Sequence, residues 1–245
     1  MKKLLPLFVL ALVLANCQKE NTQEEMAMAE TQQTLSFSDY VGTEIIVWGP
    51  SEDGTEPFRS VKLTAEMLEQ SSGELEMRNG NGNGNGNSHS HGYFEQNNPN
   101  PFIIQRQIDY NATQNSQGGS GNMSIVIDYA EVPALGTGPG VYAIELEPEC
   151  VLTSGNDAVI SGIVVSVQGD VPVWAGENVG SKIFIKVRDN GQGANAPADQ
   201  VFYEIVGAPA SIPCEILGPN AFLWIVLGQM VDITNPPTEH IKVNN

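Results

Sequence analysis

From Phe102 onward the apolar residues come in short runs, and within the runs they recur with a period of two. Met123, Ile125, Ile127 and Tyr129 alternate with Ser124 and Asp128, and Ile183, Ile185 and Val187 alternate with Lys186 and Arg188. Successive side chains of an extended chain point to opposite faces, so each run predicts a strand with one face on a core and the other in water. FIIQRQIDY (102–110), VYAIELE (141–147), AVISGIVVSV (158–167), VFYEIV (201–206) and AFLWIVLG (221–228) are likewise rich in β-branched and aromatic residues and bounded by Gly, Pro, Asn or Asp. Together they predict an all-β domain over 93–245, an antiparallel barrel or sandwich of about seven to nine strands. About 150 residues suffice to enclose one sizeable core.

The pattern weakens upstream. IIVW (45–48) predicts one strand, and LTAEMLEQ (63–70) predicts a short helix with Thr64 as its N-cap. Thirteen acidic residues fall between Glu20 and Glu76, so the mixed segment 37–77 is either a small acidic appendage or only partly ordered. Residues 78–92 (RNGNGNGNGNSHSHG) contain no side chain able to build a core and read as a linker or loop. Residues 17–36 are polar, acidic and free of aromatics, the composition of a solvated tether.

The first sixteen residues read differently. Lys2 and Lys3 precede an uncharged run from Leu4 to Ala15, too short to span a bilayer comfortably, which predicts a cleaved export signal over 1–16. Leu14, Ala15, Asn16 and Cys17 resemble the lipobox of bacterial lipoproteins, and Gln18, Lys19 and Glu20 resemble the Lys-acidic signal of Bacteroidota lipoproteins exposed on the outer membrane. The resemblance implies lipidation at Cys17, attachment to the membrane through that lipid, and location in the cell envelope at the outer membrane, facing outward.

Composition narrows the partners. The formal charge is −18, and removal of residues 1–16 leaves 9 basic against 29 acidic residues, or −20. Nucleic acid binding requires clustered Lys and Arg on phosphates, which this chain lacks. With Cys17 lipidated, Cys150 and Cys214 remain, either as one disulfide of an oxidising compartment or as two buried thiols.

The last hundred residues carry a second resemblance. Cys150 to Gly162 (CVLTSGNDAVISG), Phe184 to Asp199 (FIKVRDNGQGANAPAD), Cys214 and His240 to Val243 (HIKV) resemble a group of secreted bacterial β proteins with a DNGxGANxPxD loop. The resemblance implies that the loop, both cysteines and the closing strand belong to one fold, and that Cys150 and Cys214 are bridged. It implies no activity. Gln192 stands where that group places an acid.

Four kinds of chemistry are then candidates. Asp189, Asn190, Asn195 and Asp199 could converge on calcium, with glycines at 191 and 193 turning carbonyls inward; against this, only two of the four are charged and the spacing is not an EF-hand's. The same residues also suit a loop that satisfies itself through Asx hydrogen bonds. His89 and His91, two apart, share a face if extended and can hold zinc or copper, but a glycine repeat supplies no fixed further ligand, and His240 lies far along the chain. No GxSxG elbow is present; GGSGN (118–122) only resembles one. Glu145, Glu147 and Glu149 alternate along one strand, the arrangement of a solvent face or of one wall of a hydrolase cleft. Trp174, in a loop, can stack on a sugar or a partner or fold onto the core edge, whereas Trp224 reads as core.

The sequence thus predicts a lipid-anchored surface lipoprotein whose non-catalytic β domain binds an extracellular glycan, small molecule or envelope protein. A purely structural envelope component and a carboxylate-based hydrolase are the alternatives. No cofactor beyond the candidate calcium is implied.

Overall fold

Twelve strands form among the described residues, each antiparallel to its neighbours, and all belong to one sheet. The computed structural model describes residues 36–51, 54–69, 88–116, 118–172, 175, 178–191, 196–202, 204–218, 221, 224, 228, 230–233 and 240–244. Cys17 and the signal, nearly all of the tether, residues 78–87, Trp174, Gln192 and Asn195 lie outside these.

The strands are β1 (Glu44–Trp48), β2 (Arg59–Lys62), β3 (Ser88–Asn100), β4 (Ile103–Asn115), β5 (Gly118–Tyr129), β6 (Gly140–Ser154), β7 (Asp157–Gly169), β8 (Lys182–Arg188), β9 (Gln200–Phe202), β10 (Ile205–Ala208), β11 (Met230–Asp232) and β12 (His240–Asn244). Strands β3 to β8 follow one another as a meander. Short turns make this possible: β6 and β7 pair from Ser154↔Asp157 outward across Gly155, which supplies the positive φ (59°) of the turn. The spatial order is β12-β3-β4-β5-β6-β7-β8-β10-β1-β2, with β9 and β11 branching from β8.

The all-β prediction holds, but twelve strands exceed the seven to nine expected, and the path has two ends rather than closing strand on strand. The extra strands come from both flanks. In the segment read as mixed and acidic, β1 pairs with β10 and β2 with β1. β3 begins at Ser88, inside the stretch read as linker, because SHSHGYF continues the period of two that starts the β domain.

One apolar cluster fills the face that β3 to β8 share. Phe94, Ile108, Tyr110, Ile125, Ile127, Tyr142, Ile144, Ile160, Ile183 and Ile185 belong to it, and Ile241 of β12 and Trp48 of β1 join it. Met123, Ile125, Ile127 and Tyr129 are buried as the alternation predicts. The opposite face of β3 to β6 is wet, but that of β7, β8, β10 and β1 is not. There Phe37, Leu63, Leu68, Ile212, Leu217 and Trp224 cover Val159, Phe184, Val206, Ile45 and Val47 as a second core.

That second core corrects the reading of β8. Lys186 does not face water: it is 8% exposed, 3.7 Å from Asp157 Oδ2 and 5.9 Å from the Trp224 ring centre. A strand covered on both faces carries no periodic signal on the side where its charged residues are neutralised by partners. Arg188 is half-exposed and donates to both carboxylate oxygens of Asp157, at 2.5 and 2.8 Å.

Of the predicted strand at 221–228 only Ala221, Trp224 and Gly228 are among the described residues, and Trp224 is helical rather than extended. Trp224 N–H donates to Ala221 O and Gly228 N–H to Trp224 O, the spacing of a helical turn. An unbroken apolar run does not distinguish a buried strand from a buried turn of helix. Trp224 itself is core as predicted, 3% exposed, with Nε1–H donating to Leu217 O and Gly218 O. At 65–69 a helical turn forms, and Thr64 Oγ1 accepts from Met67 N–H as its cap.

Candidate functional site

The loop after β8 puts its carboxylates to structural use. Asp189 Oδ1 accepts from Gly191 N–H (2.7 Å) and its Oδ2 from Val243 N–H (3.2 Å). Asp199 Oδ1 accepts from Asn190 N–H (2.9 Å) and its Oδ2 from Ile241 N–H (3.0 Å). Asn190 Nδ2 donates to Ala198 O at 2.6 Å. Three of the four candidate calcium ligands are therefore in one place, and all four oxygens of the two carboxylates accept a backbone N–H. Two of those N–H groups belong to β12, on the edge turned away from β3. They alternate along the strand because its even-numbered residues turn their N–H groups to β3 instead.

The cysteines are joined. Cys150 on β6 and Cys214 on the 3-10 turn Cys214–Leu217 form a disulfide with Cα atoms 6.5 Å apart, and Ser161 Oγ lies 2.9 Å from Cys214 Sγ. Beside it Lys182, 1% exposed, places Nζ 2.5 Å from Glu149 Oε2 and donates to Ile212 O at 2.6 Å. Of the three strand acids, Glu149 is thus the partner of a buried ammonium. Glu145 and Glu147 are exposed on the same side of β6. The shallow depression beside them is lined by Gly121, Asn122, Ser124 and Val165, with no carboxyl from a facing strand among the described residues. GGSGN lies within β5 and forms no elbow.

The arrangement that sequence reasoning missed is on the wet face of β12, β3 and β4. His89, His91 and Tyr93 point outward from β3, and His240 stands diagonally across from His91 on β12, where Lys242 is the direct partner of His91. The ring centres of His89 and His91 are 5.1 Å apart and those of His91 and His240 5.8 Å. Asp109 and Asn111 of β4 complete a groove of about 340 Å³ lined by these residues, Gly92 and Tyr110. Gly92 is required here: a Cβ would stand 2.7 Å from His240 O and 2.9 Å from the Tyr110 ring.

Each imidazole has a different setting. His89 Nε2 is 2.9 Å from Asn111 Oδ1, and Asn244 Nδ2 lies 3.4 Å from His89 Nδ1. His91 Nδ1 is buried and has no hydrogen-bond partner. Burial holds the His91 pKa below the usual imidazole value, and His89, His240 and Lys242 push the same way while Asp189 opposes. Tyr110, beneath the groove, lies with its hydroxyl 3.2 Å from Ser90 Oγ; burial pushes its pKa well up. With the side chains as they stand, no three His, Cys, Asp or Glu among the described residues are grouped so as to hold a metal ion.

The signal that could have found this groove was present in SHSHGYF, where period two puts both histidines and the tyrosine on one face. What was lacking was the partner of β3. His240 lies beyond β4 to β11 in sequence, and nothing local announces that β12 returns to β3.

No family model, no curated protein and no solved structure matches this chain. Among the described residues no helix is long and apolar enough to cross a membrane, which leaves strands out of account.

Proposed function

We propose that the chain is a lipid-anchored, surface-exposed envelope lipoprotein whose β domain is a non-catalytic binding module, with the groove over β12, β3 and β4 as its ligand face. The observation that carries the reading is the convergence of His89, His91, Tyr93 and His240 with Asp109 and Asn111 in that groove, from strands remote in sequence. Rings beside carboxylate and amide groups are what recognition of a small molecule or a glycan uses. The anchor rests on residues 1–20 alone, with Cys17 as the lipidated residue. A barrel-like closure of the domain is part of the proposal, supported by the bonds from Asp189 and Asp199 to β12.

The hydrolase alternative loses support because its acids come from one strand and one of them is engaged with Lys182. A purely structural envelope role is favoured by the disulfide and by the double-faced core. Two experiments decide. Cell fractionation tests the anchor: Cys17→Ser releases the protein from membranes, and unchanged retention refutes it. Screening the unlipidated Cys17→Ser chain against extracellular glycans and small metabolites tests the module: a hit that Tyr93→Ala abolishes supports the groove, and a hit that Tyr93→Ala leaves intact places binding elsewhere. A complete screen without hits selects the structural role.

A further inference from the structure

We propose that a hollow over Gly207 on β10 is a second binding site, for a small, flat, uncharged apolar molecule that carries a carbonyl-type hydrogen-bond acceptor. It shares no lining residue with the groove over β12, β3 and β4. Ile46 of β1 pairs with Gly207, and Gly207 pairs with Ile183 of β8. Directly opposed residues of antiparallel strands point to the same face, so these three positions form one row across the sheet with its middle side chain missing. Trp48, two residues on from Ile46, turns to that face as well. The result is a mostly apolar hollow of about 290 Å³ at the margin of the main core, to which Ile183 and Trp48 belong and against which Ile46 packs. That volume stands at the lower end of the range for small-molecule sites, about 300–1,000 Å³.

Neither backbone conformation nor crowding accounts for a glycine at this position. At Gly92, Gly119, Gly121, Gly140, Gly162 and Gly169, the other glycines with close neighbours in strands, a Cβ would stand 3.0 Å or less from another protein atom. Gly118 opens β5 with a φ of 119°. Gly207 has no positive φ, and a Cβ there would meet nothing nearer than Ile46 O at 3.7 Å and Trp48 Nε1 at 3.8 Å, ordinary van der Waals contact. A glycine inside a strand weakens it, and where no bend or neighbouring backbone requires it, its use is to let a ligand approach closely.

The lining defines the class of ligand. The Trp48 ring offers a flat wall for another flat molecule. Its indole N–H borders the hollow and has no acceptor among the described residues, whereas that of Trp224 donates to Leu217 O and Gly218 O. A ligand oxygen would supply that acceptor. Glu44, exposed, is the charged residue of the lining, and within a chain of formal charge −18 it disfavours an anion. The size of the hollow suits a small molecule and not a segment of another protein.

The test uses Prodan, a flat, uncharged naphthalene with one ketone, whose emission moves to the blue in apolar surroundings. Increasing amounts of the Cys17→Ser chain are added to a fixed, low concentration of probe. The expected result is a saturable blue shift with a Kd of about 100 µM or tighter. Gly207→Leu fills the hollow and weakens binding about ten-fold or more, with a thermal melt no lower than the parent's. Should that variant melt lower, Gly207→Ala, whose single methyl has ordinary room, reads the same effect in smaller measure. Trp48→Phe keeps a ring and removes the N–H, and weakens binding about five-fold, as loss of one neutral hydrogen bond does. Absence of a saturable shift, or equal affinity in the parent and the Gly207 variants, overturns the proposal. A hollow that receives a second copy of the chain would instead show as a dimer in light scattering that Gly207→Leu dissociates, without probe binding, and this too overturns it.

Discussion

The backbone N–H of Ile241 donates to the carboxylate of Asp199 at 3.0 Å, across the edge of β12 with which no strand pairs among the described residues. Asp189 holds Val243 in the same way two residues on. A free sheet edge invites pairing with other chains, and these two carboxylates take up its donors instead.

Asp199→Ala removes the acceptors of both Asn190 N–H and Ile241 N–H. Hydrogen bonds to charged groups contribute about 1.5–3 kcal/mol each; because both bonds are only part-buried, we expect a loss at the lower end of their sum, about 3 kcal/mol, in urea unfolding, with faster hydrogen exchange at Ile241 and Val243. A loss below about 0.5 kcal/mol would show that the contact does not hold β12. The same geometry predicts that millimolar calcium and chelator give one melting midpoint, since every carboxylate oxygen already accepts a backbone N–H; a calcium-dependent rise would restore the ion-binding loop.

The disulfide closes a sequence separation of 64 residues. The loop-entropy relation gives about 4 kcal/mol for such a closure, so reduction or the double change Cys150→Ser, Cys214→Ser should lower unfolding stability by roughly that amount. Equal denaturation curves with and without reductant would contradict it.

Glu149 and its neighbours on β6 should behave unequally. Glu149→Gln leaves the buried Lys182 ammonium without its carboxylate, at 2.5 Å in the intact protein. Loss of a partner from a buried pair costs about 3–5 kcal/mol, and the partial exposure of Glu149 reduces this to about 1–3 kcal/mol. Glu145→Gln and Glu147→Gln, on solvated side chains, should change stability by about 0.5 kcal/mol or less. Three equal effects would refute the distinction.

His91 supplies a pH dependence. Its pKa is lowered in the fold, first by burial and then by His89, His240 and Lys242, against Asp189. The unfolded chain therefore takes up that proton at a higher pH than the folded one. The neutral ring's contribution is fully present above the ordinary value of 6.5 and is lost as pH falls through the window beneath it. The chain should melt progressively lower between about pH 7 and pH 5, more steeply than His91→Gln does. Parallel profiles would assign the effect to other groups.

The parts of this fold legible in the sequence are those with a local periodic signal. Met123 to Tyr129 declared their faces because one side of β5 is wet, and Thr64 declared its cap. Lys186 misled because its charge is satisfied beneath Trp224, whereas Trp224 declared itself as core because a run apolar all round has no wet face. The groove was half legible, through SHSHGYF; its other half depends on a pairing between the beginning and end of the sheet. Asp189 and Asp199 read equally as ion ligands or as parts of a self-satisfied loop, since carboxylates flanking a glycine turn suit an ion as well as they suit backbone N–H groups; that two of those N–H groups belong to a distant strand was not legible.

The pairing of β12 with β3 joins the two ends of a long stretch of chain. Strand β3 is adjacent in sequence to its partner β4, yet its other edge pairs with residues 240–244, which lie beyond everything from β4 to β11 in the chain and so would be made last. β1 waits in the same way for β10. Contacts this distant are slow to form, and an uncovered strand is adhesive while it waits. A chain interrupted before residue 240 should therefore fail by sticking to its own kind more than by lacking structure, so that the yield of folded protein would depend on how quickly the last five described residues reach their place.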